Sequence, residues 1–178
     1  MSKISGSLKK ILAYLEQYSG QWWYDPMLAL LAAADAYVFV VSVEALLLPA
    51  VVVRPKKWIL ASTWATVGST IGATSFAYLA SLYGESVVTY FIPNAFTSKS
   101  WIDSSRYISE HGYLGLGFIS VGPLPQHVAV AIAGLAHMKM NQVFFAVLIG
   151  RGIKYFFLSW AVIHSPKILK RLKITSST

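Results

Sequence analysis

Residues 27–53 read MLALLAAADAYVFVVSVEALLLPAVVV, an apolar stretch interrupted by two acids, Asp35 and Glu44. As a single helix these 27 residues would measure about 40 Å, more than the roughly 30 Å of a bilayer core. The acids lie nine positions apart, which at about 100° per residue puts them on opposite faces of a continuous helix. One would then face lipid. At a helix centre each acid costs roughly 2.5 to 3.5 kcal/mol, while a Leu, Ile, Phe or Val returns only about 0.3 to 0.6, so insertion is near balance. The stretch therefore reads as a re-entrant hairpin with its turn between Val40 and Pro49. Broken backbone at such depth is tolerated only where protein or a wet cavity surrounds it.

The chain has 178 residues, 56% hydrophobic and 12% charged, against about 25% charged in ordinary soluble domains. An all-α, polytopic membrane protein of one domain is expected. With no cysteine, disulfides and thiolate metal sites are excluded. No metal motif or cofactor fingerprint is present, no cleaved signal peptide is evident, and HExxH, GxSxG and P-loop patterns are missing, so no enzyme is expected. The net charge is +8. Because the cations flank apolar spans, lipid headgroups rather than nucleic acid are the expected counter-charge.

Residues 1–24 have the periodicity of an interfacial amphipathic helix ending in a Trp22, Trp23, Tyr24 belt, and Asp25-Pro26 is expected to break it. Residues 27–83 hold the first hairpin, the RPKK elbow at 54–57 and an apolar run, Trp58 to Tyr83, long enough to span. Within that run Ala61, Ala65, Gly68, Gly72 and Ser75 form a seam of small side chains that lets a neighbouring helix or a second copy approach. Residues 84–112 are a polar connector with a surface helix expected around Trp101, Ile102 and Ile108. Residues 113–164 hold a second apolar hairpin, in which Gly115, Gly117, Gly122, Pro123 and Pro125 are expected to interrupt any plain span, and then a last crossing helix. Residues 165–178 are a basic tail.

A shift of 82 residues lays Glu44 on Gln126, Lys57 on Lys139, Gly68 on Gly150, Ile71 on Ile153 and Tyr78 on Trp160. Each half then reads as hairpin, basic elbow and spanning helix. One true crossing per half makes the repeat inverted. On this topology ten cations fall on one side against Lys99, Arg106 and Lys139 on the other, which puts both termini in the cytoplasm.

Arg151 and Lys154 remain within the last span, three residues apart on one face. Their natural partners are Asp35 and Glu44. Such a constellation serves as a proton relay, as a cationic seat for a phosphate, or as a buried salt bridge locking hairpin to helix. Pro123 and Pro125 free backbone carbonyls and build a polar notch lined by Gln126 and His127, or merely a kink beside a core histidine.

These residues resemble the DedA superfamily, also described as VTT-domain or SNARE-associated Golgi proteins, and in particular its small YqaA-like bacterial branch. The resemblance covers roughly residues 30–165. It is carried by Asp35 and Glu44 before RPKKW, by GSTIGATSFAYL at 68–79, by GPLPQHVAVAIAGLAHM at 122–138 and by FFAVLIGRGIKYFF at 144–157. It implies two oppositely inserted hairpins that face each other, and movement of a phospholipid or polyprenyl-phosphate lipid across the bacterial inner membrane, with protons as a further partner. Larger bacterial members have two arginines around the second hairpin's proline, where this chain has Ser120 and Gln126. Arg151 and Lys154 are the candidates to supply that charge.

Overall fold

The computed structural model describes residues 21–37, 42–122 and 126–165. The expected N-terminal amphipathic helix, apart from its last residues, the basic tail after Ser165, and both Pro123 and Pro125 lie outside the described residues. Those described are helical throughout, with no strand among them.

Helix α1 runs Tyr24–Ala34 and α2 runs Val43–Val53. Asp25-Pro26 does not break the chain. Both residues lie in the first turn of α1, where the N–H that proline lacks would have no helical partner in any case. Tyr24 is correspondingly buried rather than part of an aromatic belt. The turn of the hairpin precedes most of the expected window: Ser42 is extended, α2 begins at Val43 with Glu44 in its first turn, and Pro49 is carried inside the helix. An acid at a helix N-terminus is favoured by the backbone dipole, which helps start α2 this early.

A short 3-10 turn, Pro55–Lys57, leads into α3, Trp58–Tyr83, which ends at Gly84 with φ 65°. Helix α4 (Glu85–Phe91) and a second 3-10 turn (Ala95–Thr97) lead to α5, Lys99–Val121. Helix α5 starts where Ser98 Oγ accepts the Trp101 N–H at 3.2 Å. It bends at Gly112 (φ 59°, ψ −136°) and continues through Gly115 and Gly117. These two glycines do not break it. Gly117 serves packing instead, its carbonyl lying against Gly150 of the last helix. Helix α6 is Gln126–Leu135 and α7 is Met140–Ile163.

Helices α3 and α7 form the centre and run antiparallel, as the contacts show: Ser62 meets Ser159 near one end and Ser69 meets Arg151 in the middle. Helix α1 lies parallel to α3 because Gly68 and Gly72 present bare backbone to Ala29 and Ala33. A Cβ at either glycine would overlap those carbonyls. The small-residue seam is thus filled from within the chain. Helix α5 lies along α7 through Gly150 against Gly117 and Ser120, α6 crosses to α3 through Gly134 against Ala77, and α2 crosses to α7.

Polarity in this bundle is turned inside out relative to a soluble amphipathic helix. Ser62, Thr66, Ser69, Thr70, Ser120 and Ser159 are buried, while Phe145, Ile149, Ile153, Phe157 and Trp160 form one exposed stripe along α7 and Ile59, Leu60, Val67, Ile71 and Leu82 are exposed on α3. Among the described residues α7 is the one helix both long and apolar enough to cross a membrane. Helix α3 is longer, at 26 residues, and carries no charge, but its serines and threonines lower its hydropathy.

Candidate functional site

Arg151 is the largest fully buried side chain, 1% exposed. It lies midway along α7, about 17 Å from either helix end at 1.5 Å per residue. Its Nη1 donates to the Ser69 carbonyl at 2.5 Å, and its Nε has no hydrogen-bond partner. A cation so placed invites an acceptor. Three residues on, Lys154 Nζ lies 2.6 Å from Glu44 Oε1, each side chain about a quarter exposed. Of the two acid–base pairs expected, the structure forms this one directly.

Asp35, 8% exposed, closes α1 and takes no direct bond from Arg151. Arg151, Glu44 and Lys154 nonetheless lie close enough to act on it electrostatically. Its nearest ionisable contact is His127, whose Nε2 stands 3.9 Å from Asp35 Oδ2. Gln126, beside it at the start of α6, has a buried Nε2 without a partner. Tyr155, one turn after Arg151, is buried on the same face of α7. Asp35, Glu44, Gln126, His127, Arg151 and Lys154 therefore converge where the ends of both hairpins meet the centre of α7. Pro123 and Pro125 belong to the segment outside the described residues.

Arg54 opens the elbow before the 3-10 turn. It is buried in an ion pair with Asp25 and stands 4.0 Å over the Tyr24 ring, tying the end of α2 to the start of α1. Sequence reasoning also missed Ser69 and Tyr155. The available signal was position, since Tyr155 follows Arg151 by four residues and Ser69 precedes it by the repeat offset.

An apolar groove of about 470 Å³ lies between α5 and α7, lined by Tyr113, Gly117, Phe118, Phe145 and Ile149. A second, about 410 Å³, shares Val121 and Ile153 with it and reaches Lys154 and Phe157. The groove thus runs along the outer face and touches the charged cluster at Lys154.

No family model, curated protein or solved structure matches the chain.

Proposed function

We propose that this chain is a multi-pass lipid translocator of the DedA type, built from two inverted repeats and moving a phospholipid or polyprenyl-phosphate lipid across the bacterial cytoplasmic membrane, with both termini on the cytoplasmic side. The inside-out polarity supports a bilayer as solvent, since contiguous apolar belts of this kind are rare on soluble monomers. Two features support the repeat. Helices α2 and α6 occupy equivalent places 82 residues apart, as do α3 and α7, and each short helix packs on the long helix of the other half.

The observation that carries the functional reading is Arg151. A guanidinium buried midway along α7, with one nitrogen unpartnered, lies within electrostatic reach of Glu44 and His127, which sit in the first turns of two half-length helices, α2 and α6. Broken helices whose N-termini point into a central cavity are how membrane transporters hold anionic groups. Arginine adds the planar grip that suits a phosphate. The apolar groove offers a lipid tail a continuous surface up to Lys154.

Reconstitution in liposomes tests this. Headgroup exposure of a phospholipid and of a polyprenyl phosphate is expected to accelerate over empty vesicles. Flux of a soluble ion or solute without lipid movement would replace this reading with a proton-coupled solute carrier. If neither moves, while alanine at Asp35, Glu44 and Arg151 merely lowers stability, the protein is a non-transporting assembly factor.

A further inference from the structure

An ionisable group of one hairpin meets one of the other where His127 of α6 stands 3.9 Å from Asp35 at the end of α1. We propose that Asp35 and His127 form a single proton-binding site, and that the proton held there is the obligatory co-ligand of the anionic headgroup. This rests on the lipid-phosphate reading above.

Charge bookkeeping leads to it. The groups facing the contact are Glu44 from α2 and Arg151 and Lys154 from α7, with Tyr155 behind them. The carboxylates of Asp35 and Glu44 cancel the cations of Arg151 and Lys154. An anion seated at Arg151 would leave one negative charge uncompensated in a buried space, where Coulomb energies are several-fold larger than in water.

One added proton restores neutrality. If the imidazole takes it, an imidazolium faces a carboxylate; if the carboxyl takes it, a neutral acid donates to the imidazole. Either state adds one positive charge to the group of side chains around Arg151. The other groups cannot adjust in this way. A guanidinium stays protonated, and Lys154 and Glu44 already hold each other at 2.6 Å. The proton comes from water as the anion binds and returns to water as it leaves, so each anionic charge carried moves with one proton.

The test uses the full chain in detergent and phosphatidylglycerol with six-carbon chains, whose phosphodiester does not titrate near neutrality. For the unmodified protein, affinity is expected to fall about tenfold per pH unit once the site loses its proton, because linked binding is reciprocal. Asp35→Asn should hold high affinity at every pH. His127→Gln, close in size, should lose the pH slope, and a slope unchanged in His127→Gln overturns the proposal while leaving lipid binding intact. If the unmodified protein binds no lipid at any pH, the functional reading fails instead. The proton site is then judged without ligand, from nitrogen resonances of the four histidines, His127 being the one absent in His127→Gln. Asp35→Asn should move its titration; an unmoved curve refutes the shared site.

Discussion

Arg151 donates through Nη1 to the Ser69 carbonyl at 2.5 Å, and the two residues stand 82 positions apart in the chain. That is the offset that lays Gly68 on Gly150. Equivalent residues of a two-fold repeat meet only where the axis passes between them, so this bond fits the centre of the proposed symmetry.

Arg151→Lys is therefore expected to keep the charge and lose the fork. With a charge-assisted hydrogen bond contributing about 1.5 to 3 kcal/mol, the lipid translocation rate should drop by about ten- to a hundredfold. Reconstituted headgroup exposure measures it. A rate within twofold of the unmodified protein would remove Arg151 from the site.

Lys154 and Glu44 are held at 2.6 Å but keep about a quarter of their side chains exposed, so their pair is weaker than a fully buried one. Glu44→Gln and Lys154→Gln should each destabilise by about 1 to 3 kcal/mol, and the double substitution by less than the sum. Unfolding of the four proteins in detergent closes the cycle. Strict additivity would mean that the pair contributes nothing.

Gly68 and Gly72 have no room for a Cβ, whereas Gly152 has its nearest neighbour, Thr66 Cγ2, at 3.8 Å. Gly68→Ala and Gly72→Ala are expected to cost about 1 to 3 kcal/mol through overpacking of α1 on α3. Gly152→Ala should be neutral or stabilise by up to about 1 kcal/mol through helix propensity. Thermal midpoints of the three variants check the contrast.

The chain has no cysteine, so single cysteines report without background. Lys57→Cys and Lys139→Cys lie at the elbows before α3 and α7, which run antiparallel. Inverted topology expects an impermeant maleimide to label them from opposite sides of the membrane. Labelling of both from one side would discard the inverted repeat.

The helical character and the convergence of acids with bases were legible in the sequence because charge inside an apolar run is a strong signal, as at Asp35, Glu44, Arg151 and Lys154. The break between Asp35 and Glu44 was legible from their angular conflict, but not its placement. Pro49 drew the expected turn too far along because its local rule was weighed against no tertiary support, and α2 packs on α7 around it. Gly115 and Gly117 misled for a related reason: glycine marks both a weak helix and a close approach, and only the neighbour decides which. The pairing of Arg54 with Asp25 was not legible, since the two lie 29 residues apart. The contact of His127 with Asp35 depends on how two hairpins dock, and no local pattern records that.

The crosswise seating of α2 on α7 and of α6 on α3 has a consequence for biosynthesis. While the ribosome is still making the chain, α3 already covers α1, but the face of α2 that seats on α7 stays bare until some of the last residues emerge. On the proposed membrane reading, α1, α2 and α3 would wait in the bilayer with the acid of α2, Glu44, lacking its Lys154 partner until α7 arrives.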